Sequence, residues 1–276
     1  MVTYVIAFAL TAVVSILIPL IVWGIVIKKN PMERKEVVIL FALGALLYVI
    51  MQWGIKEHIL QYLFNHTNMT QWMVSYYLLY LFLVAFIGAF LFVIPVYLIV
   101  RYGLKRQMSF AKATMFGLGY AMTEATMLVG YRCVFTIVGI ANGDIKEFDT
   151  SVVELYFSSF ERVLYLIIYV AVVVGLVYLI EQIMSVRGIV ISWLCITFAN
   201  FLPGFLIAFT TKSYNETFER PIALFLSYLV LTVGALTGIV VMNALKYALK
   251  DEKIDSRQAV IAYQRKREQK NQKKEK

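Results

Sequence analysis

The chain has 276 residues, of which 61% are hydrophobic and only 16% are charged. A soluble domain carries roughly 25% charged residues, so this composition cannot supply the polar surface that a soluble protein of this length needs. Aromatic residues reach 15%, which also excludes disorder over most of the chain. The composition therefore predicts a polytopic membrane protein, and the distribution of its net charge of +9 predicts the topology.

Seven apolar runs are long enough to cross a bilayer, since a helix needs about 20 residues to span ~30 Å of hydrocarbon. They predict an all-α transmembrane helical bundle over residues 1–249, followed by a basic tail over 250–276. The segment 56–71, between the second and third runs, is predicted to be a polar loop. The predicted spans lie near residues 2–27, 37–55, 72–100, 111–140, 153–184, 189–211 and 221–245.

Lysine and arginine are concentrated in alternate loops, which indicates the cytoplasmic side. The basic loops follow the first, third and fifth runs, whereas the opposite loops hold only Lys56, Arg132, Lys146, Lys212 and Arg220. We therefore expect the N-terminus outside and the C-terminus in the cytoplasm. The tail holds ten basic and five acidic residues. It is expected to fix the topology and to contact anionic lipid rather than nucleic acid.

Charged residues within the apolar runs indicate a polar cluster inside the bundle. An ionisable residue in a span costs ~2.5–3.5 kcal/mol on insertion scales, so it usually faces the interior beside a partner. Polar residues of this kind, with the amide of Asn200 included, occur in three consecutive runs at similar predicted depths. Two interpretations remain open: interhelical ion pairs that fix the packing, or a polar site that opens to the outside. The predicted cluster consists of Glu124, Arg132, Glu161, Arg162 and Asn200.

Small residues surround Glu124 along the fourth run. Gly117, Gly119, Ala121 and Ala125 lie within two turns of Glu124. Residues of this size let membrane helices approach closely. We therefore expect the helix that carries Glu124 to pack tightly against its neighbours.

The cysteines and histidines indicate neither a metal site nor a disulfide framework. Cys133 and Cys195 are isolated, and neither belongs to a CxxC pair. His58 and His66, the only histidines, lie together in the predicted polar loop. Their spacing gives no reason to expect the two side chains to lie together, and both are expected at the surface. No cofactor is predicted.

Four segments in the second half of the chain carry a resemblance to a known family. They are residues 116–125 (FGLGYAMTEA), residues 160–162 (FER), the apolar run to Tyr169, and residues 195–200 (CITFAN). Their order and spacing resemble those of the YhfC family of bacterial membrane proteins. That family is grouped with the glutamic-type intramembrane proteases, which include the CAAX-processing enzymes and PrsW. The resemblance implies a multi-pass protein of the bacterial plasma membrane.

The resemblance also implies roles for particular residues. Glu124 takes the position of the general base that activates water, and Asn200 that of a residue stabilising an oxyanion. The family has histidine where this chain has Tyr120, Tyr169 and Ile196. Histidine is the usual group to orient the water and protonate the leaving amine. Tyrosine, with an ordinary pKa of about 10, is a poor substitute, and isoleucine cannot act in this way.

Three functional hypotheses follow. The first is a catalytically inactive relative of an intramembrane protease that binds or regulates another membrane protein, or a membrane-anchored peptide, in the former substrate groove. The second is an active glutamic protease that uses Glu124 with helpers other than histidine. The third is a small-molecule permease or the membrane subunit of a transporter, although no pair of broken helices supports it.

Overall fold

A computed structural model describes residues 2–29, 34–104, 108–143, 152–182, 186–211 and 219–249. Throughout these ranges the chain is helical, and they contain no strand. The basic tail 250–276 lies outside the described residues. So do the acidic positions Asp144, Glu147, Asp149 and Glu216 and the basic positions Lys146 and Lys212, on which part of the topology prediction depends.

The described ranges contain ten α-helices. They are α1 (Val2–Lys29), α2 (Arg34–Tyr48), α3 (Glu57–His66), α4 (Met69–Ser75), α5 (Tyr77–Leu98), α6 (Phe110–Ala125), α7 (Tyr131–Asn142), α8 (Val152–Gln182), α9 (Val186–Thr211) and α10 (Glu219–Ala248). Three π-helical stretches adjoin them. Val49–Lys56 joins α2 to α3, Ile99–Gly103 extends α5, and Thr126–Gly130 joins α6 to α7.

Six helical stretches of the described chain are long and apolar enough to cross a membrane, as expected of a multi-pass membrane protein. They are Val2–Lys28, Arg34–His66, Tyr77–Gly103, Phe110–Asn142, Leu155–Ile180 and Phe225–Lys246. The sixth of the seven predicted spans falls in α9, which contributes the shorter apolar stretch Gly188–Leu202. The all-helical class is confirmed, whereas the count of seven spans and the orientation of the termini stay predictions.

The predicted loop over residues 56–71 is wrong. Glu57–His66 continues the second spanning helix as α3, and Met69–Ser75 forms α4. The segment is polar, but it contains neither proline nor glycine. A polar helix keeps its backbone hydrogen bonds internal just as an apolar helix does, so polarity alone does not end a helix. The helix ends at Thr67, whose N–H donates to the Leu63 carbonyl over 3.0 Å.

Helix α6 is held between α2 and α8 by contacts that only glycine permits. A Cβ atom at Gly119 would overlap the carbonyl oxygen of Phe41 on α2, and one at Gly117 would lie 3.0 Å from the Cα of Val170 on α8. The backbones therefore meet almost directly, as predicted from the small residues around Glu124. This packing fixes the position of α6, and hence of Glu124, relative to both neighbours.

Helix α8 is the most buried of the spanning helices and packs against α1, α5, α6, α9 and α10. Val173, Val174, Leu176 and Val177 on this helix are fully buried. One turn of α8 also makes a polar contact with α1, because the Ser159 hydroxyl donates to the Thr11 hydroxyl over 2.9 Å. Arg162, on the same helix, has a side chain that is only 13% exposed.

Replacement of Gly119 by alanine is expected to force α2 away from α6, because the added methyl group overlaps the Phe41 carbonyl. Overpacking of this kind costs roughly 1–3 kcal/mol, and thermal unfolding of the purified protein in detergent should show a lower midpoint. Gly175→Ala on α8 is the matched control, because nothing lies within 4 Å of its added methyl group. Equal midpoints for the two variants would contradict the backbone contact between α2 and α6.

Candidate functional site

A cavity of about 370 Å³ lies among α2, α5, α6, α8 and α9 and the helical stretches that continue α2 and α6. Its lining is polar, which is unusual for a space among apolar helices, because charge inside a membrane protein is costly. Three acidic and three basic side chains line it, so their formal charges balance. They are Lys56, Glu57, Glu124, Arg132, Glu161 and Arg162.

Arg162 is the centre of the buried charges in this cavity. Its Nη2 lies 2.7 Å from Oε1 of Glu161, and its Nη1 lies 3.7 Å from Oε1 of Glu124. The other oxygen of Glu161 accepts a 3.3 Å hydrogen bond from the Tyr228 hydroxyl of α10. The guanidinium carbon also lies 4.9 Å from the centroid of the Tyr165 ring, a cation–π arrangement. Arg162 therefore connects α8 to α6, and Glu161 connects α8 to α10.

Asn200 joins this site through tyrosines of α8. Its amide nitrogen lies 3.4 Å from the Tyr169 hydroxyl, and the Tyr165 hydroxyl donates a 2.8 Å hydrogen bond to the carbonyl of Ala199. These contacts bring α9 against α8. Asn200 thus lies on the wall of the same cavity as Glu124, although the two residues belong to different spans.

Two of the three positions where the resembled family has histidine line the cavity together with Glu124. Tyr120 and Tyr169 both line the cavity, and their ring centroids are 5.3 Å apart. Ile196, one turn before Asn200 on α9, is fully buried in the apolar core. The segments that carry the resemblance therefore meet in space, but the described residues that line the cavity include no histidine.

Arg132 differs from the other members of the predicted cluster. It lines the cavity, but it is exposed and forms no ion pair within 4 Å with a carboxylate of the described residues. It lies beyond the π-helical stretch Thr126–Gly130, at the start of α7. Arg162 is therefore the arginine that pairs with both glutamates of the cluster.

The sequence analysis missed a further polar face on α2 and its extension. Tyr48, Gln52 and Lys56 all line the cavity, and the Gln52 amide donates a 3.0 Å hydrogen bond to the Gly88 carbonyl of α5. Their spacing of four residues was a signal that could have identified them. The π-helical stretch Val49–Lys56 carries two of them, and π-helical turns occur frequently at functional sites.

The histidines and cysteines lie apart from the cavity lining. His58 and His66 are exposed on α3, and the His66 ring stacks on Tyr62 at 4.3 Å. Cys133 is buried and Cys195 is exposed, and both are free thiols. Among the described residues, no group of three or more histidine, cysteine or acidic side chains could hold a metal ion.

Comparison with known proteins gives no match: no family model fits the chain, and no significant similarity is found to a curated protein or to a solved structure. The site is therefore interpreted from its own geometry and from the residues that carry the resemblance.

Replacement of Arg162 by alanine is expected to destabilise the bundle strongly, because it leaves Glu124 and Glu161 buried without their counter-charge. Breaking a buried pair in this way costs about 3–5 kcal/mol, measurable as the free energy of unfolding in mixed micelles. Adding Glu124→Gln and Glu161→Gln should restore part of that loss.

The control is Lys112→Ala, which removes a cation from a pair with the half-exposed Glu36 at 2.6 Å. Pairs of this kind contribute about 0–1 kcal/mol. If Lys112→Ala and Arg162→Ala were equally destabilising, the special role of the buried pair would be refuted.

Proposed function

We propose that this protein is a membrane-embedded binding protein on a scaffold related to the glutamic intramembrane proteases, and that it does not cleave peptides. One observation carries the proposal. Glu124 and Asn200 line one polar cavity together with Tyr120 and Tyr169, which occupy positions where histidine is expected. The arrangement keeps the polar residues of the resembled site but not its proton-transfer groups.

Loss of peptidase chemistry follows from what surrounds Glu124. A glutamate base needs a second group that orients water and protonates the leaving amine. The nearest candidates are tyrosines, which are poor acids at neutral pH, and the third position is the buried Ile196. Arg162 faces both glutamates as their counter-ion, and a guanidinium stays protonated in proteins, so it does not replace the missing acid.

The partner we propose is another membrane protein or a membrane-anchored peptide. Apolar residues of the cavity wall, including Val84 and Leu128, adjoin its charged residues. A transmembrane segment with one polar side chain suits such a wall, because membrane helices associate through close packing and interhelical hydrogen bonds. The charged lining would hold the polar group, and the apolar residues would contact the rest of the segment.

The proposed setting is the plasma membrane of a bacterium, with seven spans, the N-terminus outside and the basic tail in the cytoplasm. The lysine and arginine distribution supports this orientation. Charge on the tail would bind anionic lipid at the inner leaflet. Reporter fusions at the two ends of the full-length chain would test the orientation separately from the binding function.

Site-specific photo-crosslinking in cells tests the binding function. A photoreactive residue at Leu128, on the cavity wall, should give covalent adducts with a membrane protein, and Glu124→Gln should reduce their yield. Position Val240 on α10 is the control, because its side chain is 68% exposed and lies outside the cavity lining. Equal adducts from both positions, or adducts that Glu124→Gln leaves unchanged, would count against the proposal.

The same variant separates binding from proteolysis. Cells with wild-type protein and with Glu124→Gln should show the same set of peptide termini in their membrane fraction. A cleavage product that disappears with Glu124→Gln would instead support the active protease. The observation that favours this alternative is that Glu124 lines the cavity.

A further inference from the structure

One oxygen of the central glutamate has no hydrogen-bond partner within the described protein. Glu124 is 91% buried, since its exposed fraction is 9%, and its Oε2 makes no hydrogen bond to a described group. Only Oε1 faces Arg162, at 3.7 Å. A buried carboxylate oxygen without a partner is energetically costly. Glu124 lines the cavity and its side chain is 12% exposed, so the cavity gives access to this side chain.

Lys56 supplies an opposite charge on another wall of the same cavity. Its ammonium lies against Gly88 of α5, where a Cβ atom would be only 3.2 Å from Nζ. No carboxylate of the described residues lies within 4 Å of this ammonium. Gln52, one turn earlier, is tied to the Gly88 carbonyl and so holds the π-helical stretch against α5.

The two charges share one cavity but do not meet. Glu124 and Lys56 line the same cavity, yet they form no contact ion pair within 4 Å. We propose that the cavity binds a small zwitterionic unit, with a primary ammonium group on Glu124 and an anionic group on Lys56. This inference deepens the proposed binding function, because it gives the chemistry of the group that the cavity accepts.

A zwitterion satisfies this cavity better than an ion of one sign. The six charged lining residues are balanced, so a lone cation or a lone anion would leave a net charge among apolar helices. A primary ammonium donates hydrogen bonds, whereas a quaternary ammonium has no N–H group to offer Glu124. A volume of about 370 Å³ lies in the range of small-ligand sites. Two sources carry this chemistry, an ethanolamine lipid headgroup and a free aminoalkyl phosphate or amino acid.

Matched ligand pairs test the proposal on the full-length protein. Phosphoethanolamine and phosphocholine differ only in methylation of the nitrogen, as do glycine and its trimethylated form. Nanodiscs of phosphatidylethanolamine or phosphatidylcholine supply the lipid arm. We expect the primary-ammonium member of a pair to raise the unfolding midpoint and to bind by calorimetry, and the trimethylated member to do neither. Binding in detergent identifies a soluble ligand, whereas an effect in nanodiscs alone identifies the lipid; either supports the shared chemistry.

Two variants test the assigned contacts. Glu124→Gln and Lys56→Met should each weaken binding of the primary-ammonium ligand about ten- to a hundredfold, as expected for the loss of a hydrogen bond to a charged group. Lys112→Met, from an ion pair outside the cavity, should bind like wild type.

Equal effects of methylated and unmethylated ligands on the wild-type protein would overturn the proposal even if a variant failed to fold. An absence of binding to every probe, or unchanged binding by Lys56→Met, would overturn it as well. If a membrane protein crosslinks at Leu128 but no zwitterionic probe binds, only the proposal of a zwitterion site is refuted. If no membrane protein crosslinks at Leu128 but the zwitterions still bind, only the proposal of a protein partner is refuted.

Discussion

The need to neutralise charge among apolar helices governs the centre of this protein. Arg162 contacts Glu161 at 2.7 Å and faces Glu124 at 3.7 Å, and all three side chains are largely buried. An unpaired charge in such a place is costly, and the guanidinium of Arg162 couples α8 to α6. The Tyr228 hydroxyl, which donates to Glu161, extends the same constraint to α10.

Close backbone packing fixes the position of α6, the helix that carries Glu124, against its neighbours. Gly119 permits close contact with Phe41 of α2, and Gly117 permits close contact with Val170 of α8. The apolar part of α8 supports the other side with fully buried residues. Charge pairing and packing therefore act together: packing sets where Glu124 lies, and pairing determines which neighbour it faces. The cavity is the space that remains between these fixed helices.

The lining of the cavity explains why binding is a better interpretation than catalysis. Its polar groups are held by tertiary contacts, such as Asn200 with Tyr169 and Gln52 with Gly88. Its tyrosines occupy positions at which the resembled family carries out proton transfer. The unpartnered oxygen of Glu124 and the separate ammonium of Lys56 then suggest what is recognised.

The sequence by itself determined the helical class and identified several residues of the cavity wall. An ionisable or amide group in an apolar run almost always faces the interior of the bundle. This rule identified Glu124, Glu161, Arg162 and Asn200. Lys56 was missed because segment 56–71 was predicted to be a loop. Gln52 was missed although its amide group lies within the second predicted span. Only the tertiary structure decided that Arg162 rather than Arg132 pairs with both glutamates. Helical periodicity defines which residues share one face, but the rotation of each helix against its neighbours depends on packing over the whole bundle.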